Sequence, residues 1–240
     1  ISGPLGFGLP AGEISAAVSG EMRWATYDMQ TDALPTEFVN CSGLRLCLAN
    51  GTTAPVRWTQ NVNAPVSVGN NVYEFAVEAN VPLLKDIPLI SDLSANVAGR
   101  YTNYSSSGEA YTWKIGLDWH VNESIRFRGT TSVDIRAPNL NDLFQPVGIS
   151  STGFTDLLTT ANNSTRLQTQ GNASLIPEVA RTYTGGVVLT PDFIPGLVLS
   201  VDYFQTHMTN AIAFISGQNT AVQNLCIASA PAYDSPLCGL

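Results

Sequence analysis

The feature that most constrains this chain is a two-residue periodicity. Apolar and polar side chains alternate over seven separate segments, and alternation at that period puts successive side chains on opposite faces of a β-strand. In the first segment Ile14, Ala16, Val18, Met22 and Trp24 share one parity, while Ser15, Ser19, Glu21 and Arg23 share the other. Similar segments run from about Val72 to Val81, Leu93 to Thr102, Tyr111 to His120, Ile125 to Arg136, Glu178 to Thr190 and Leu197 to Tyr203. The clearest of them sets Tyr111, Trp113, Ile115, Leu117 and Trp119 against Thr112, Lys114, Asp118 and His120. No helical period competes. The expectation is an all-β chain of about seven antiparallel, up-and-down strands.

The connections alternate in length. Those after the second, fourth and sixth strands (Pro82 to Asp92, Val121 to Ser124, Pro191 to Gly196) are compact. Those after the first and fifth (roughly Met29 to Val68 and Ala137 to Pro177) are long and rich in Asn, Thr and Pro. In an antiparallel sheet this sorts short turns to one rim and long loops to the other, the layout of a transmembrane β-barrel of the outer membrane. The apolar faces of the first five strands carry no Asp, Glu, Lys or Arg. On the sixth, Arg181 has the apolar parity, close to the long-loop end. The competing architecture is a soluble β-sandwich, whose inner faces also alternate. Strands of ten to fourteen residues suit a tilted membrane crossing better than a sandwich.

Composition narrows the function classes. Charged residues make up 12% of the chain, about half of what a soluble domain carries, and the formal charge of −8 with pI about 4.6 argues against nucleic acid as a partner. No apolar run is long enough for a spanning helix, since Pro191, Asp192, Pro195 and Asp202 interrupt the most hydrophobic region. The four cysteines fall as two close pairs, Cys41 with Cys47 and Cys226 with Cys238, and neither spacing is that of a zinc or redox motif. Disulfides within two long external loops of an oxidising compartment are expected.

Several segments together resemble the barrel of the TonB-dependent outer-membrane receptors of Gram-negative bacteria. They are Gly3-Pro4-Leu5, Leu9-Pro10-Ala11-Gly12, Val81-Pro82-Leu83-Leu84-Lys85-Asp86, Thr112 to Leu117, Arg126 to Thr130, Arg136-Ala137-Pro138-Asn139-Leu140 with Asp142-Leu143-Phe144, Pro177-Glu178 and Ser200 to Tyr203. The resemblance covers nearly the whole chain. It implies energy-coupled import of a scarce nutrient such as a siderophore, a cobalamin or an oligosaccharide. The implied surroundings are outer-membrane lipid and the TonB system, reached through a plug region. Seven strands are too few to close such a barrel and nothing resembles the plug, so residues 1–240 are expected to be a partial barrel without the plug domain and the remaining strands.

On this wall the lumen-facing side would carry Glu74, Glu78, Arg100, Asp134 and Arg136. Arg136 and Asn139, at the start of the loop after the fifth strand, are the candidates for ligand contact. An enzyme would need more. Asp118 and His120 share a face and Ser94 or Ser132 could serve as nucleophile, but a solvated pair near the short-turn rim is the commoner role for such residues, and no catalytic residue is expected. His207 is isolated, so neither a metal site nor a cofactor is expected. The interval from Ala137 to Pro177 holds no His, Cys, Met or Tyr, hence none of the usual axial ligands for haem. The alternative function is a secreted carbohydrate-binding β-sandwich that uses Tyr111, Trp113 and Trp119 as a sugar platform.

Overall fold

The structure is a computed structural model and describes residues 1–31, 38–43, 45, 53–55 and 63–239. Its central element is one eight-stranded antiparallel sheet. In spatial order the strands are β1 (Ser2–Leu9), β2 (Gly12–Met29), β5 (Val66–Ile87), β6 (Ile90–Tyr104), β7 (Gly108–His120), β8 (Ile125–Arg136), β11 (Glu178–Leu189) and β12 (Leu199–Thr209). Two short hairpins lie within the connections: β3 (Phe38–Asn40) with β4 (Thr53–Pro55), and β9 (Gly148–Thr155) with β10 (Asn162–Thr169). The helices α1 (Leu140–Phe144) and α2 (Thr220–Ala228) and a 3-10 turn at Pro236–Gly239 complete the described elements.

The seven expected strands are present, with β1 as an eighth. Its partner is β2, joined through Pro10 and Ala11, with Gly3 opposite Ala16 and Leu9 opposite Gly12. Each connection on the β1–β2, β5–β6, β7–β8 and β11–β12 side is short. The β5–β6 turn is Pro88-Leu89 alone, closed by Ile87 opposite Ile90. Proline fixes φ at the first of these turn positions, and Leu89 takes φ 67° at the second. The long connections, 30–65 and 137–177, leave from the other ends of the strands.

Contacts divide the chain into two compact units. The first comprises Ile1–Ala25, Gly69–Asn139 and Ser174–Ala211 and holds most of the sheet. It is a single layer. From β5 to β12, apart from the end of β5 after Pro82, the register puts even-numbered residues opposite even-numbered ones, so each parity shares one face across five interfaces. The apolar odd face is bare: Tyr111 is 64% exposed, Leu117 51% and Ile115 44%. Burying such a side chain is worth about 1.5–3 kcal/mol in water, and this sheet does not bury them. Cys41, Val72, Ala110 and Leu143 are the buried apolar residues among the described ones. A sandwich needs a second sheet packed on that face, and the other sheets among the described residues are two-stranded hairpins within the connections. The sandwich architecture is thereby replaced by an unclosed barrel wall.

The second unit comprises Thr26–Val68, Leu140–Ala173 and Ile212–Leu240. In it the β9–β10 hairpin is held by two glutamines. Gln218 Nε2 donates to the Gly153 carbonyl at 2.7 Å and to Thr152 Oγ1 at 3.0 Å. Gln223 donates to the Thr155 carbonyl at 3.1 Å and accepts from the Leu157 amide at 3.1 Å. The chain returns against α1 through Gly171 N–H to the Gln145 carbonyl and Asn172 N–H to the Asp142 carbonyl, both 2.9 Å. A Cβ at Gly171 would lie 2.7 Å from the Leu143 carbonyl group, so glycine is required for that approach. Asn219 caps α2 by accepting from the Ala221 amide at 2.8 Å.

Candidate functional site

The even face of the sheet carries a connected set of charges. It exists because the alternation of each strand is kept in register with its neighbours, which lines polar residues up in rows across the wall. At one side of the face, Glu74 on β5 is the hub. Arg23 on β2 approaches its Oε2 at 3.6 Å, Arg100 on β6 approaches Oε1 at 3.4 Å, and Thr102 Oγ1 donates to it at 3.3 Å. Its side chain is only 12% exposed, which makes two cationic partners and a hydroxyl an appropriate set for a carboxylate withdrawn from water. Four residues further along β5, Glu78 Oε1 accepts from Asn96 Nδ2 at 2.9 Å. Arg23, Glu74, Glu78, Arg100, Lys114 and Asp134 line a concavity of about 420 Å³.

On the other side of the same face the arginines of β8 form forked pairs, the geometry in which guanidinium and carboxylate match best. Arg126 binds both oxygens of Asp118, with Nε to Oδ1 at 2.7 Å. Arg136 binds both oxygens of Glu178, at 2.5 and 2.9 Å. Arg128 pairs with Asp202 at 2.9 and 2.6 Å, although β8 and β12 are not neighbours. The strand between them contributes Gly186, opposite both Arg128 and Asp202. A Cβ there would stand 2.0 Å from Asp202 Oδ1, so a bare backbone on β11 is what lets the pair close across it. Between the charges, the hydroxyls of Thr130 and Thr184 meet at 2.6 Å and those of Thr182 and Thr206 at 3.2 Å.

Glu74, Glu78, Arg100, Asp134 and Arg136 all lie on this face, as their parity indicates. Of the two ligand candidates, Arg136 is committed to Glu178, which is itself buried, while Asn139 is exposed directly after the end of β8. His120 Nε2 lies 3.4 Å from Asp118 Oδ1, but Arg126 holds that carboxylate and Ser132 donates its hydroxyl to Asp134 at 2.6 Å. What assembles is a row of ion pairs. Cys226 and Cys238 are bonded with S–S 2.08 Å, within the segment that follows β12. Cys41 is disulfide-bonded, and Cys47 lies outside the described residues. His207 faces the apolar side, opposite Arg181.

Asp202 and Glu178 did not stand out in the sequence as site residues, although their even parity within β12 and β11 was a sufficient signal for the face they share.

In the second unit one carboxylate has a perturbed titration. Asp156, at the tip of the β9–β10 hairpin, accepts from the Thr159 hydroxyl at 2.5 Å and from the Leu158 amide at 2.9 Å. These bonds hold its pKa below the ordinary carboxylate value, the Thr159 hydroxyl having the larger effect.

Residues 17–231 match the family described as TonB dependent receptor-like, beta-barrel. No curated protein sequence matches the chain. Among solved structures, a mutant of the ferric enterobactin receptor from Pseudomonas aeruginosa in complex with enterobactin is similar at 19% identity and TM-score 0.60, over 87% of this chain and 26% of that one. The siderophore receptor PirA from Acinetobacter baumannii is similar at 14% identity and TM-score 0.59, over 86% of this chain and 26% of that one. The chain thus spans about a quarter of the length of either structure.

Proposed function

The chain belongs to the TonB-dependent receptor β-barrel family, and from that premise we propose that it forms part of the wall of an outer-membrane receptor importing a scarce nutrient with energy supplied through TonB. The observation that carries this reading is the two-faced single layer. One face exposes aromatic and aliphatic side chains suited to lipid, and the other presents paired charges suited to a water-filled lumen. Among the described residues both edge strands, β1 and β12, pair on one side only. Hydrocarbon tolerates no open edge, so in this reading further strands of the receptor close the barrel. The long connections face outward to capture ligand, and TonB acts through a plug region.

The nutrient is a small ligand, and ferric siderophores are the first class to test, because both similar structures are named for siderophores. Transport assays of the complete receptor in a strain lacking its own siderophore receptors test the proposal. Uptake of a labelled ferric siderophore is expected, abolished when TonB is removed while binding to cells persists. Uptake indifferent to TonB would overturn the energy coupling, and growth restored by a cobalamin or an oligosaccharide instead would move the ligand to that class.

A further inference from the structure

Every arginine described on the water-facing side of the sheet, namely Arg23, Arg100, Arg126, Arg128 and Arg136, contacts a carboxylate. Arg181 differs. It has odd parity on β11, which places it on the apolar face, and it is the only Lys or Arg there among the described strand residues. Val133 and His207 stand directly opposite it, on β8 and β12. Eight outward positions surround it, two across, two along β11 and four diagonal, and none of them is Asp or Glu. The wall supplies this cation with no anion, in a chain whose net charge is −8.

Depth decides what can supply one. Going up the β11–β12 pair from the short-turn rim, the outward positions are Leu189 with Leu199, Val187 with Val201, Gly185 with Tyr203, then Tyr183 with Gln205, and Arg181 with His207. Aliphatic residues thus give way to tyrosine and then to hydrogen-bonding groups, the sequence expected on leaving hydrocarbon for the headgroup layer. Eight residues separate Arg181 from Leu189. That is about 26 Å along a strand rising about 3.3 Å per residue, or about 20 Å along the membrane normal at a tilt near 40°. The apolar band of such a barrel is about 25 Å tall, and an arginine side chain extends towards the interface from just inside it. At the long-loop rim that interface is the outer leaflet.

We propose that Arg181, with His207 beside it, clasps a phosphate group on the headgroup of an outer-leaflet lipid. A planar guanidinium binds phosphate through two parallel hydrogen bonds, and directly opposed residues of an antiparallel pair have Cβ atoms about 4.5–5.5 Å apart, so the imidazole reaches the same phosphate. This rests on the outer-membrane placement given above.

The test uses the complete receptor in detergent, titrated with diphosphoryl lipid A, with the same lipid after removal of its phosphates, and with inorganic phosphate, and read by native mass spectrometry and thermal melting. The diphosphoryl lipid is expected to bind about tenfold more tightly than its dephosphorylated form, the weight of hydrogen bonds to a charged group. Arg181→Gln is expected to remove that preference, Arg181→Lys to keep part of it, and His207→Gln to reduce it less. Equal binding of the two lipids, an unchanged preference in Arg181→Gln, or equal stabilisation by inorganic phosphate would overturn the proposal. If Arg181→Gln fails to assemble, the two-lipid comparison on the unmodified receptor and on Arg181→Lys decides. A receptor that inserts and transports yet binds both lipids alike fails this proposal and leaves the transport reading standing.

Discussion

The two faces of the sheet are made by the same strands, residue by residue, yet they are stable for opposite reasons. The odd face is exposed aromatic and aliphatic surface with few specific contacts. Trp119 is an exception: its Nε1 donates to the Leu89 carbonyl at 2.9 Å and its ring lies 5.3 Å from Phe127. The even face is held by named pairs, each of which needs its partner at the right height on another strand. A face turned to lipid needs the right class of side chain at each position, whereas a face turned to water inside a wall needs the right neighbour.

That contrast can be broken from either side. The largest effect is expected from charge on the odd face. Ile115→Arg or Leu117→Arg is expected to destabilise the assembled receptor by about 2–4 kcal/mol near the membrane midplane, while Thr112→Arg on the even face costs little. Urea unfolding of the complete receptor in lipid vesicles checks this, and similar losses for both kinds of substitution would remove the distinction between the faces. A smaller loss, about 1–3 kcal/mol as for overpacking, is expected for Gly186→Val, because the new side chain occupies the space through which Arg128 reaches Asp202. Gly185→Ala serves as the control: it lies on the opposite face and its Cβ meets nothing within 4 Å. Equal melting temperatures for the two variants would show that the pair across β11 contributes nothing measurable.

The smallest effect lies off the wall, at Asp156. Its folded-state pKa is lowered, so its contribution to hairpin order is present above the unfolded value of about 3.9 and is lost as pH falls through the lower folded value. Hydrogen exchange at the Leu158 amide is expected to lose protection across that acidic window in the native protein and to stay flat in Asp156→Asn. Loss of protection at the same pH in both would assign the effect to another group.

Seven of the eight sheet strands, with their faces and rims, were legible because period-two alternation is a local property. The misses are local too. In β1 the apolar Leu5, Phe7 and Leu9 alternate with Gly6 and Gly8, and Pro4 interrupts the run, so glycine and proline mask a strand by their low β propensity. The alternation starts the second strand only at about Val72, yet β5 already runs from Val66 through Gly69-Asn70-Asn71, because cross-strand pairing outweighs local preference. The helix α2 has nine residues and α1 five, too few to display a period. Of the site, the alternation assigns each charge to a face but does not choose its partner. Arg136 and Glu178 are 42 residues apart, and Arg128 and Asp202 are 74 apart with a strand between them. Only the stagger of the strands brings them to one height, and stagger is set jointly by several pairings.

The register of β5 against β6 slips between Pro82 and Leu84. Above the slip the odd residues of β5, from Tyr73 to Val81, match the odd residues of β6; below it Leu84 stands opposite Leu93 and Lys85 opposite Asp92. One extra residue has reset the reading frame of the strand, so that Lys85 ends on the side of Asp92 instead of among the apolar side chains. Deleting Leu83 would restore uninterrupted pairing and make the strand more regular by every local criterion. The pairs on both sides would stay as they are, Leu84 opposite Leu93 and Lys85 opposite Asp92; the inversion would come only if Leu83 were kept and paired in simple alternation, which would put Lys85 opposite Ser91 on the apolar side. In a wall one residue thick, an extra residue inside a strand is therefore a frameshift in space unless a bulge absorbs it, as the slip at Leu83 does here.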